Sequence, residues 1–138
     1  MHSVVCLLLV LQGKAVPQYT IEQFMNTTSM FGASFSPDGK SILVTSDQSG
    51  VFNAYAVPLT GGKLAMPAAL THSTTDGIFT IGYLPGDRAG RLLYSQGPGG
   101  NENDHIYLRD SSGTARDLTP GDSLKANFID WAGGDTSF

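Results

Sequence analysis

From Met30 onward the apolar positions fall in short runs bounded by glycine, proline, aspartate and serine, the pattern of strands and turns rather than of long helices. Ala33-Ser34-Phe35 leads into the turn Ser36-Pro37-Asp38-Gly39-Lys40. Ile42-Leu43-Val44-Thr45 follows, apolar and β-branched, which predicts an inner strand buried on both faces. In the turn, Pro37 presets its φ and Gly39 accepts a positive one. The same order returns at a spacing of 48 residues (35, 83, 131): Ile81-Gly82-Tyr83 runs into Leu84-Pro85-Gly86-Asp87, and Ile129-Asp130-Trp131 into Ala132-Gly133-Gly134-Asp135. Phe35, Tyr83 and Trp131 are the aromatic anchors of three successive units.

The rest of each unit agrees. Ile42 to Ser46 matches Leu92-Leu93-Tyr94-Ser95, the block Val51 to Val57 matches His105 to Arg109, and Leu70-Thr71 matches Leu118-Thr119. Within the first of these third strands, Val51, Asn53, Tyr55 and Val57 point one way and Phe52, Ala54 and Ala56 the other, with Pro58 as its end. Thr60-Gly61-Gly62 then turns the chain into an outer strand, where one unpaired edge accommodates Pro67. A repeat of strand, turn, strand, loop, strand, turn, strand, about 40 to 50 residues long, is a β-propeller blade in sequence. The predicted fold is therefore all-β, a partial β-propeller with two four-stranded antiparallel blades (31–71 and 72–120) and the first strand of a third (121–138). Since propellers use roughly four to eight blades, this reading predicts a fragment of a longer protein, the alternative being a chain that completes its fold by assembling with other chains.

Residues 1–17 differ from the rest. Val4-Val5-Cys6-Leu7-Leu8-Leu9-Val10-Leu11 has the length of a secretory leader core and is too short to span a bilayer. It predicts a signal peptide, with a weak start because Met1-His2-Ser3 carries no Lys or Arg, and a secreted or periplasmic protein. A buried strand would give the same apolar run. Residues 18–30 form a lead-in, where Thr20 and Gln23 have capping-box spacing. Ile21, Phe24 and Met25 give a short helix an apolar face to pack on the first blade. Cys6 is the sole cysteine, so removal of a leader would leave no disulfide and no cysteine metal site. With 41% apolar and 14% charged residues the chain is too apolar for disorder, and its net charge of -4 argues against nucleic acid or an anionic membrane as partner.

Motifs for chemistry are few. Gly121-Asp122-Ser123-Leu124-Lys125 misses a nucleophile elbow at its last position, and Gly97-Pro98-Gly99-Gly100-Asn101-Glu102 lacks the final glycine of a dinucleotide fingerprint. His2, His72 and His105 share no metal-ligand spacing, His105 reading as a surface or half-buried strand residue. No cofactor is implied. Asp38, Asp87 and Asp135 recur with the turns and read as structural. The one candidate is the loop Asn101-Glu102-Asn103-Asp104, whose oxygens on a glycine-rich stretch suit a cation or a substrate ammonium group, or else bond their own backbone as a solvated turn. Asn101, Glu102 and Asn103 are the candidate substrate-binding residues. By the up-and-down strand order, this loop and the crossing loop at 71–77 belong to one rim.

Four ordered motifs carry a resemblance over residues 18–138: Tyr19-Thr20-Ile21-Glu22-Gln23-Phe24, then Ala33 to Lys40, then Gly99-Gly100-Asn101-Glu102-Asn103, then Asp117-Leu118-Thr119-Pro120-Gly121. Together they resemble the N-terminal propeller of serine peptidases of the prolyl oligopeptidase family, of dipeptidyl-peptidase or acylaminoacyl-peptidase type. The Ser-Pro-Asp-Gly turn by itself is shared with TolB-like and WD-type propellers, which are binding modules. The resemblance implies a propeller gating peptide access to a C-terminal α/β-hydrolase domain that carries Ser, Asp and His. None of that triad maps onto this sequence, so the chain alone is expected to be inactive. In the dipeptidyl-peptidase branch, propeller glutamates hold the substrate's amino terminus; Glu102 stands alone and does not take that role. Trp131-Ala132-Gly133-Gly134-Asp135 also departs from the family's turn.

Overall fold

The structure, a computed structural model, describes residues 18–61, 63–100 and 102–132. The leader at 1–17, Asn101 and Asp135 lie outside the described residues. After a helix α1 (Ile21–Met25), the chain forms two antiparallel sheets. The first contains β1 (Met30–Phe35), β2 (Ser41–Ser46) and β3 (Asn53–Thr60). Its fourth position is shared by β4 (Lys63–Leu64) and β5 (Ala68–Ala69), which both pair with β3. The second runs in chain order through β6 (Ile78–Tyr83), β7 (Leu92–Gln96), β8 (His105–Arg109) and β9 (Ala115–Asp117). The fold is all-β and propeller-like, as the repeat predicts.

The recurring turns hold themselves. Asp38 Oδ1 accepts from Ser36 Oγ at 2.7 Å and from the Lys40 N–H at 3.1 Å, while Gly39 takes φ +67. The Ser36 bond keeps the Asp38 carboxyl below its ordinary range. In the second repeat Asp87 accepts from the Arg91 backbone at 2.8 Å and from its guanidinium at 3.2 Å, and that guanidinium bond lowers its pKa. Both aspartates are turn residues.

Because side chains alternate along a strand, each sheet has two apolar faces. Leu43 and Ala54 of the first sheet meet Ile78, Leu92 and Tyr94 of the second, and Leu43, Ala54 and Leu92 are at most 1% exposed. The opposite face of the first sheet gathers Val44, Tyr55 and Val57 against Ile42. The ladders show which faces meet. Leu43 pairs with Ser34 in β1 as Leu93 pairs with Gly82 in β6, so Leu43 and Leu93 are equivalent, and Ile42 is equivalent to Leu92. The contact joins unlike faces, head to tail, as repeated blades require. Tyr83 packs against this interface, and Trp131 comes up to Gly82, where a Cβ would lie 3.8 Å from its Cζ2. Each anchor thus leans on the repeat before it, and Phe35, with no earlier repeat among the described residues, is 66% exposed.

Polar bonds fix the register between sheets. As an edge strand, β6 has N–H groups that β7 does not use. Thr80 N donates to Thr45 Oγ1 at 2.9 Å, and Tyr83 N to Ser34 Oγ at 3.2 Å. A bulge occurs at the same place in β1 and β6, between Phe31 and Ser34 and between Thr80 and Gly82. Thr45, fully buried, is the central link. Thr45→Val is expected to lower unfolding free energy by about 1–3 kcal/mol, because it leaves the half-buried Thr80 N–H without its partner; equilibrium urea unfolding measures it, and an unchanged midpoint refutes the role.

Three expectations are corrected. The third strand does not end at Pro58 but runs on to Thr60, since the N–H that proline lacks would point toward the fourth strand where it is broken at 65–67; Leu59 N still reaches Lys40 O at 2.7 Å. The third-repeat strand is not formed: residues 125–132 have no regular structure and Ile129 is 89% exposed, because among the described residues no second strand of that repeat offers a ladder. The helix forms with its capping box, Thr20 Oγ1 accepting from Gln23 N and Gln23 Oε1 from Thr20 N, but buries nothing. Its stability is local, and Ile21, Phe24 and Met25 stay exposed.

Candidate functional site

The ladders bring one set of loops to a single rim. Ser46 pairs with Asn53, Ile78 with Gln96, and Gln96 with His105, so the loops at 47–52, 71–77, 97–104 and 118–126 leave the sheets on the same side. The glycine-rich loop and the crossing loop at 71–77 share that rim, in line with the strand order. A kinked turn at Pro98–Gly100 shapes the former, with Gly99 and Gly100 at φ +68 and +69, a left-handed backbone that other residues rarely adopt.

The candidate loop residues part company here. Asn101 lies outside the described residues, and Glu102 is exposed. Asn103 Nδ2 donates to the Asp122 carbonyl in a long bond of 3.5 Å, tying the loop to the crossover at 118–126. Asp104 lines a cleft of ≈ 280 Å³ with Ile81, Ser95, Ala126, Asn127 and Phe128. The far wall of this cleft is the segment entering the third repeat. It is placed as the second repeat is placed: Ala126 N donates to Asp104 O at 2.8 Å, as Ile78 N donates to Phe52 O at 2.9 Å. The cleft therefore sits between two successive repeats, with an aspartate, a serine and an asparagine among its lining residues. Such a lining can hold a polar group of a ligand, a cationic one best of all.

At the close of the first blade lies a polar cluster that sequence reasoning missed. Asn53, 1% exposed, donates from Nδ2 to Ser73 O at 2.9 Å, and its Oδ1 accepts from Ser73 N at 2.8 Å and from Thr71 Oγ1 at 2.9 Å. Thr71 Oγ1 also accepts from Ala54 N. In the second repeat Thr119 Oγ1 accepts from Ile106 N at 2.9 Å, which makes Thr119 the counterpart of Thr71 and His105 the counterpart of Asn53. His105 is 7% exposed, a buried residue and not a surface one. Its Nδ1 lies 2.7 Å from Asp117 Oδ2 and its Nε2 3.1 Å from the Gly121 carbonyl. With both ring nitrogens engaged, it has none left to serve as a catalytic base. Block alignment of the third strands left their register open; the shared spacing of Thr71 and Thr119, and of Ser73 and Gly121, was the signal that would have set it.

Among the described residues no three His, Cys, Asp or Glu side chains come together as a metal site, and no helix is long and apolar enough to cross a membrane. Compared with the models of known protein families the chain matches none, and compared with curated proteins it again matches none.

Proposed function

We propose that these residues form the opening repeats of a β-propeller that screens peptide access in a serine peptidase of the prolyl oligopeptidase type, secreted or periplasmic. The catalytic serine, aspartate and histidine belong in this reading to an α/β-hydrolase domain outside residues 1–138. The observation that carries it is the head-to-tail joining of repeats, with the Ala126-to-Asp104 bond repeating the Ile78-to-Phe52 bond at the start of a third unit. The peptidase half rests on the ordered motifs from Tyr19 to Gly121. Asp104 in the inter-repeat cleft, and not Glu102, is then the group of the glycine-rich loop best placed to meet a peptide.

A binding module of TolB-like or WD type is the second reading, supported by the Ser36-Pro37-Asp38-Gly39 turn that such propellers share. Sequencing the transcript beyond the Phe138 codon separates the two. Further repeats followed by Gly-x-Ser-x-Gly are expected. Further repeats that stop without a hydrolase overturn the peptidase reading and leave the binding module.

A further inference from the structure

The two repeats close their blades with the same backbone plan and different chemistry. Tyr55 pairs with Ala69 and Tyr107 with Asp117, so Asp117 stands where the first repeat has Ala69, as His105 stands where it has Asn53. Asn53 holds its crossover by both backbone groups of Ser73, donating to the carbonyl and accepting from the N–H. His105 holds the next crossover at the matching carbonyl, Gly121, and adds the bond to Asp117. The second repeat has thus exchanged an amide and an alanine for an imidazole and a carboxylate.

We propose that the His105–Asp117 pair is a proton-operated latch on the crossover into the third repeat, closed when His105 carries both ring protons and loosened when it loses one. A carboxylate and a carbonyl are both acceptors, so both ring nitrogens must donate to satisfy them. Neutral imidazole has one N–H. Kept toward Asp117, it leaves the Nε2 lone pair facing the Gly121 oxygen, and the crossover loses this one of its ties while those through Asn103, Thr119 and Ala126 remain. Gly121 is followed by a turn in which Leu124 N donates to Gly121 O at 3.1 Å, and then by Ala126, Asn127 and Phe128, the far wall of the cleft. The latch therefore couples protonation to the cleft's shape, whether or not the peptidase reading holds.

The surroundings agree. The hydrogen bond to Asp117 raises the His105 pKa above its ordinary value, against an opposing push from desolvation, and the Asp117 charge and the Gly121 and Leu124 backbone act the same way as the bond. Burial pushes Asp117 up, but the His105 bond, the Thr119 N–H and the His105 charge outweigh it, and its pKa falls. Among charged groups facing His105, Asp117 on β9 is the one that acts on it; from its own strand Tyr107 stacks at 6.4 Å. Tyr107, and Tyr94 from β7, are pushed up by burial and stay neutral, while Asp76 from the crossing loop and Arg109 act on those tyrosines. A raised histidine stabilises the fold fully below its unfolded pKa, and that stabilisation is lost as pH rises through the folded value. A lowered aspartate stabilises above its unfolded pKa and ceases to as pH falls through the folded one. The latch is thus strongest between the ordinary Asp and His values and weakens on the alkaline side.

Amide hydrogen exchange of the full chain tests this at about pH 5.5 and about pH 8.5, on either side of the histidine range. After correction for intrinsic rates, the opening equilibrium of segment 118–126 is expected to rise with pH. The rise is on the order of tenfold for each unit by which the folded His105 pKa exceeds the free one. The variant His105→Asn with Asp117→Ala, which transplants the first repeat's residues, is expected to show no such rise. A pH-independent segment in the natural protein, or a rise that survives in the double variant, overturns the proposal. So does a His105 ring that titrates by NMR at or below its ordinary value, a measurement that needs no variant.

Discussion

Leu92→Ala is expected to lower unfolding free energy by about 2–5 kcal/mol, the cost of a large cavity in a buried core. Leu92 is fully buried between the sheets, beside Leu43, Ala54, Ile78 and Tyr94, and neither sheet can close the gap without sliding. Thr45 and Ser34 forbid that slide, because their hydroxyls hold Thr80 and Tyr83 in place. With total stability of about 5–15 kcal/mol typical of single domains, such a loss moves the urea midpoint far. Leu124→Ala serves as control. Leu124 is 59% exposed, so a change within about 0.5 kcal/mol is expected there. Equal effects at the two positions would mean that the inter-sheet face is not the core.

Asn53→Leu, nearly the same in volume, is expected to cost about 2–4 kcal/mol through unmade hydrogen bonds alone. The substitution strands the Ser73 N–H and carbonyl and removes the acceptor of the Thr71 hydroxyl, all at the close of the first blade. Thr71→Val removes part of the same cluster, so the double variant should lose less than the sum of the two singles. A urea series over the cycle measures this. Strict additivity would show that Asn53 and Thr71 act separately.

Much of the architecture could be read from residue order. The turns at Pro37-Asp38-Gly39 and Pro85-Gly86-Asp87 announce themselves because proline and glycine act through their own backbone and aspartate through a carboxylate that bonds its near neighbours, and the strands beside them follow from β-branched runs such as Ile42 to Thr45. Pro58 misled because whether a missing N–H matters depends on which neighbour it would face, a property of the assembled sheet. The unpaired segment around Ile129 has strand-like composition, but a strand exists only with a partner. The helix at Ile21–Met25 was legible through its cap, whereas what its apolar side meets is a tertiary matter. Of the candidate site, the glycine-rich loop could be seen and the cleft could not, since its lining comes from β6, β7, the loop before β8 and the segment after Lys125. His105 hid for the same reason: only the fold sets it beside Asp117 and Gly121.

The joining of unlike faces has a consequence for how the molecule comes apart. A contact in which the Leu43 side of one sheet receives the Leu92 side of the next couples nearest neighbours, as in a one-dimensional chain of interacting units. In such a chain part of each unit's stability is lent by the face it meets. A cavity cut at Leu92 should therefore raise amide exchange in β2 and β3 as well as in β7, the first sheet loosening although none of its own residues has changed.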